Sequence, residues 1–71
     1  MNRILAAERT RLGLTQGALA ERIGVSRGLI QKWEAAGNLG KASGSQLQAL
    51  SDLFSVSTDY LLGRTTERKA S

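Results

Sequence analysis

Twenty consecutive residues, Gln16 to Ala35 (QGALAERIGVSRGLIQKWEA), place each apolar and small side chain where two short helices crossing at a tight turn need one. Leu19 and Ile23 are four apart and share the inner face of a first helix. Ala20 sits beside them, where a second helix crossing at roughly 90–120° after a turn of about 3–4 residues comes too close for a larger side chain. Gly24 ends the first helix where a left-handed backbone is costly for any residue with a Cβ. Val25 plugs the turn, and Ser26 caps the orphan amides of the next helix. Ile30 and Trp33, three apart, return that helix to the core.

The flanking sequence is read the same way. No stretch alternates with period two for long, and Gly24, Gly37 to Gly44 and Gly63 punctuate segments with helical spacing. An all-α fold of five helices follows. The first is expected from Asn2, its cap, to Leu12, with Ile4, Leu5 and Leu12 inward and Gly13 closing it, after which Leu14 staples the corner. Thr15 caps a second helix over Gln16 to Ile23, and Ser26 a third over Arg27 to Ala36. The glycine-rich segment AAGNLGKASG, residues 35–44, reads as an exposed, mobile loop. Ser45 with Gln48 suggests a capping box for a fourth helix whose Leu47, Leu50, Leu53 and Phe54 form the core stripe. Ser57, Thr58 and Asp59 open a short fifth helix, with Tyr60 and Leu61 packing inward before Gly63. The domain is therefore expected over residues 1–63, with a disordered polar tail over 64–71.

Composition narrows the chemistry. A chain of 71 residues supports one small core and no second domain. Without Cys or His it lacks the usual ligands of structural zinc, a disulfide framework, a thiol nucleophile and an imidazole base. The six acidic residues are scattered with no obvious catalytic pair, so an enzyme is not expected, and the reading calls for no cofactor and no metal. No run approaches the roughly 18 apolar residues of a membrane span, so a soluble, cytoplasmic protein is expected. Ten Lys and Arg against the six carboxylates give a net charge of +4, the sign suited to a polyanion.

Four segments together carry a family resemblance: RTRLGLTQGALA before the turn, IGVSRGLIQKWE through it, LQALSDLFSV in the fourth helix and STDYLLG at the end. In these, the chain resembles the Cro/CI-type helix-turn-helix repressors, also called the xenobiotic-response-element family. The resemblance covers nearly the whole chain and implies a five-helix lambda-repressor-like bundle. It further implies a dimer on double-stranded operator DNA with the third helix in the major groove. The loop departs from the family pattern: Ala35 and Ala36 precede Gly37, the segment is longer, and the chain has no Pro. Phosphate contacts from this loop do not carry over directly.

The resemblance assigns base reading to Arg27, Gly28 and Lys32, and phosphate contact with bracing to Gln16. The residue chemistry agrees, since an Arg fork matches guanine O6 and N7 and Lys reaches the same acceptors, so at least one G·C pair per half-site is expected. Thr15, Gln16 and the free amides at the start of the second helix form a phosphate seat. Gln31 flanks the reading face, and Lys41, Arg3 and Arg11 are further candidates for phosphate contact. The competing reading of Arg27 and Lys32 is a solvated helix face. For Gly28 the alternatives are drift at a tolerant position and close approach of backbone to a base. Trp33 reads as core, and Arg64, Arg68 and Lys69 as solubilising. By resemblance, Arg9 and Glu34 form a partly buried ion pair orienting the third helix.

One recognition helix specifies about half a genomic site, so a weak homodimer is expected, with its contact near Leu61 and Leu62. Transcriptional regulation, most simply repression, is the leading function. The alternative is a protein-binding module on the same bundle, in the manner of an antitoxin or antirepressor.

Overall fold

The computed structural model describes residues 4–37 and 39–67. Within them the chain forms α1 (Ile4–Arg11), α2 (Gln16–Ile23), α3 (Arg27–Ala36), α4 (Gly44–Phe54) and α5 (Thr58–Leu61), with no strand among the described residues. α2 and α3 are the most extensively packed pair, and α1, α4 and α5 close round them. The core comprises Leu5, Leu19, Ala20, Ile30, Trp33, Leu39, Leu50, Phe54, Val56 and Leu61. Ile4, Leu14, Ile23, Val25, Leu47 and Leu53 pack against its edge.

Helix starts follow hydroxyl chemistry. Thr15, Ser26, Ser43 and Ser57 each sit in extended backbone and accept a hydrogen bond from the amide three residues on, which satisfies one orphan donor of α2, α3, α4 and α5. Helix ends share a second device. Gly13, Gly24 and Ser55 are left-handed, and the residue after each, Leu14, Val25 or Val56, donates its amide five residues back, to Arg9, Ala20 or Ser51. In all three cases that following residue is apolar and drops into or against the core, so one motif stops the helix and aims the chain. At Gly24 an added Cβ would meet nothing within 4 Å, so the demand is for φ (+76°) and not for space.

Several expectations are corrected. Leu12 does not face inward: α1 stops at Arg11, Leu12 falls in the turn at 39% exposure, and Leu14 packs against the edge of the core instead. The expected cap Asn2 lies outside the described residues. The capping box of α4 is Ser43 with Gln46, two residues before the expected Ser45 with Gln48. Both pairs have the right spacing. The segment 35–44 is not simply an exposed loop, because Ala35 and Ala36 are the last residues of α3, Gly37 is buried and Leu39 is only 3% exposed. A lone Leu among small residues shows no periodicity, which hid this core residue. Residues 64–67 carry no helix, and Arg64 approaches Asp59 at 3.9 Å with both side chains well exposed; Arg68 and Lys69 lie outside the described residues.

Three substitutions test the helix ends. Ser43→Ala is expected to cost about 1 kcal/mol in urea unfolding and Ser45→Ala less than about 0.5 kcal/mol; the reverse order would refute the capping assignment. Ser55→Gly, which relieves a left-handed residue at φ +56°, is expected to raise stability by up to about 1 kcal/mol.

Candidate nucleic-acid interface

α3 is held by its inner side, where Ile30 is fully buried and Trp33 nearly so. Residues at the opposite angular positions, Arg27, Gly28, Gln31, Lys32 and Ala35, are all exposed. This outward strip has a fork-shaped cation at its start, an ammonium one and a half turns later, and little bulk between them on the crest.

A cluster of polar groups fixes the strip against α1 and α2. Arg9 Nε donates to Glu34 Oε2 at 2.8 Å, and its Nη2 reaches Oε1 at 3.5 Å. The remaining nitrogen, Nη1, donates to the Leu14 carbonyl at 2.7 Å, so one guanidinium ties α1, the α1–α2 corner and α3 together. Glu34 Oε1 also accepts from Gln16 Nε2 at 3.0 Å, and Gln16 Oε1 accepts from Gln31 Nε2 at 3.4 Å. A carboxylate can only accept, so the Gln16 amide must turn its NH2 toward Glu34 and its oxygen toward Gln31. The order Arg9, Glu34, Gln16, Gln31 thus runs from the half-buried interior to the exposed strip. The Arg9 and Glu34 side chains are 19% and 13% exposed, which leaves little water to screen them.

Beside this cluster, Arg9, Thr15, Gln16, Gly17 and Arg27 line a cavity of about 460 Å³. It lies at the start of α2, whose first amides have no carbonyl four residues back to bond. Thr15 Oγ accepts from Ala18, which keeps the cap in place and leaves the hydroxyl proton available to a ligand. The Arg27 stem crosses Gly17: a Cβ added there would meet Arg27 Cδ at 3.9 Å. A cation, a hydroxyl and helix-start amides thus face one cavity, a set of donors whose chemistry suits an anion.

Of the residues expected to touch DNA, Thr15, Gln16 and Arg27 come together at that cavity, with Gln31 joined to Gln16 by its hydrogen bond. Lys32 and Lys41 come together elsewhere, along a groove on the other flank of α3. Arg11, another phosphate candidate, is tethered within the fold: its Nε pairs with the buried Glu8 at 2.9 Å and its Nη2 donates to the Phe54 carbonyl at 3.3 Å, while about half of its side chain stays exposed. A carboxylate at 4% exposure requires such a partner, and the i,i+3 spacing of Glu8 and Arg11 was a readable signal for it. Arg3 lies outside the described residues. Gly28 is not forced by the fold: its φ is unexceptional, and an added Cβ would meet only Ser26 Oγ, at 3.9 Å. Sequence reasoning missed the Gln16 link to Glu34.

A helix-turn-helix whose second helix is gripped from within and polar without defines a class of DNA-binding proteins. A family model described as helix-turn-helix matches residues 5–61, and the chain belongs to that family, the Cro/CI-type DNA-binding transcription regulators. Its five helices are those of the lambda-repressor-like fold. No curated protein and no solved structure matches the chain. Among the described residues no helix is long and apolar enough to cross a membrane, and no group of acidic residues could hold a metal ion.

Arg9→Ala removes donors to both Glu34 and the Leu14 carbonyl and leaves a mostly buried carboxylate with only Gln16. It is expected to cost about 2–4 kcal/mol in chemical denaturation, a large share of the roughly 4–10 kcal/mol available to a domain of this size. Stability equal to wild type would show that the cluster does not hold α3.

Proposed function

We propose that the chain is a sequence-specific regulator that lays α3 in the major groove of double-stranded DNA and acts as a repressor by occluding a promoter. The observation that carries this reading is the exposed polar strip Arg27, Gly28, Gln31 and Lys32, on a helix whose opposite side is locked into the core. Arg27 supplies the bidentate guanine contact, and Lys32 reaches a second acceptor further along the groove. Gln16, braced by Glu34 and Gln31, holds a phosphate with Thr15 and the first amides of α2, setting the register in which Arg27 reads. The bare crest at Gly28 lets the α3 backbone approach the base edges. Lys41 adds a phosphate contact from the segment after α3.

The protein acts as a homodimer on two half-sites one helical turn apart, since one α3 reads too few base pairs to specify a genomic site. Its contact lies near Leu61 and Leu62, where Leu62 is half-buried and packs beside the core that Leu61, at 1% exposure, joins. The dimer surface therefore includes Leu62 at most by its edge, which suits an association completed on DNA.

Selection of bound sequences from a random duplex pool tests the reading. A two-fold-related site with a G·C pair in each half is expected, with log affinity falling by nearly one unit per unit of log salt for each phosphate held. Arg27→Ala is expected to cost about 1–3 kcal/mol per half-site and to relax the preference at the G·C position. Gly28→Gln is expected to weaken binding or to change base preference at one position. An unenriched pool, or unaltered selectivity on Arg27→Ala, would overturn the assignment of α3.

A further inference from the structure

A second concave surface lies on the opposite flank of α3 from the cavity at the start of α2. Leu29, Trp33 and Ala36 form its apolar wall, and Lys32 from α3 and Lys41 from the following segment stand at its edges, enclosing about 470 Å³. Leu29 is half-buried, Ala36 and both lysines are exposed, and Trp33 lines the groove with the 6% of its surface that the core leaves uncovered. No carboxylate lines this groove; Glu34 is engaged on the other flank by Arg9 and Gln16.

We infer that this groove binds an acidic, amphipathic peptide segment of a protein partner, seating one large apolar side chain against Leu29, Trp33 and Ala36 while its carboxylates meet Lys32 and Lys41. The chemistry of the wall favours such a segment over the DNA backbone. Phosphate and sugar oxygens placed against Leu29, Trp33 and Ala36 would lose water without gaining a donor, whereas an apolar side chain gains by leaving water there. The cations at the rim then select acidic flanks, which raises the encounter rate and rejects basic sequences. A chain of net charge +4 adds a favourable long-range field. Lys32 belongs both to this groove and to the exposed strip of α3, so an occupied groove and an occupied major groove exclude one another. The site makes the protein a regulator that an acidic partner can displace from DNA. Only this last consequence rests on the DNA reading of α3.

Trp33 is the single tryptophan and lines the groove, so its emission reports occupancy directly in the DNA-free protein. The probe is a blocked twelve-residue peptide of glutamate and alanine with one central phenylalanine. Controls replace the phenylalanine by alanine or the glutamates by lysines, and a random-sequence duplex is titrated separately. The expected result is a saturable change in Trp33 emission with the acidic phenylalanine peptide, at least tenfold weaker without the phenylalanine and absent with lysines. Ala36→Glu, which puts a carboxylate on the exposed edge of the wall, and Lys41→Glu, outside any helix, are each expected to weaken binding at least tenfold. Thermal melts confirm that both variants are folded. No saturable change, equal binding without the phenylalanine, or unaltered binding to both variants would overturn the inference. So would a Trp33 response to the duplex, and not to the peptide, that Ala36→Glu abolishes, since the groove would then belong to the DNA footprint. Because the peptide titration contains no DNA, its failure is distinct from failure of the selected-site assay.

Discussion

The Glu34 carboxylate is the point on which the arrangement of helices depends. Its two oxygens receive Arg9 from α1 and Gln16 from α2, while its backbone belongs to α3, so three helices meet at one acidic group. Apolar packing between α2 and α3 is non-directional and tolerates sliding of one helix along the other. Hydrogen bonds to two oxygens at 2.8 and 3.0 Å do not tolerate it. The Leu14 carbonyl, held by the same Arg9, adds the corner before α2 to this register. Burial strengthens each contact, since most of the water that would screen the charges is excluded.

From that anchor the outer surface is divided in two. On the α2 flank of α3, polar groups converge on a seat where a hydroxyl, amides and Arg27 face one cavity. On the other flank, apolar side chains with lysines at their edges form a groove of different chemistry. Between them runs the strip of Arg27, Gly28, Gln31 and Lys32. The two flanks differ in chemistry, and Lys32 belongs both to the strip and to the apolar groove.

Local stereochemistry was readable because each signal lies within a few residues of its effect. Thr15 and Ser26 cap α2 and α3, and Gly24 turns left-handed, because side-chain oxygens reach amides three residues on and a missing Cβ relieves strain at its own residue. The inward positions Leu19, Ile23, Ile30 and Trp33 follow from helical period alone. Where two local solutions competed, as with Ser43 and Ser45 before α4, both had the spacing of a capping box and nothing nearby in the chain chose between them. Isolated apolar residues at chain reversals were ambiguous for the same reason: Leu12 is exposed and Leu39 buried, though each stands among polar or small neighbours.

The sequence by itself determined the all-α class, the helix-turn-helix corner and which side of α3 faces inward. These depend on period, on caps and on φ, all properties of short stretches. Tertiary structure alone decided that Arg11 also reaches the Phe54 carbonyl, that Gln16 is oriented by Glu34 and Gln31, and that Lys32 and Lys41 share an apolar groove. Those outcomes join residues up to 43 positions apart, and what a charged side chain is free to do depends on the partner that folding brings to it.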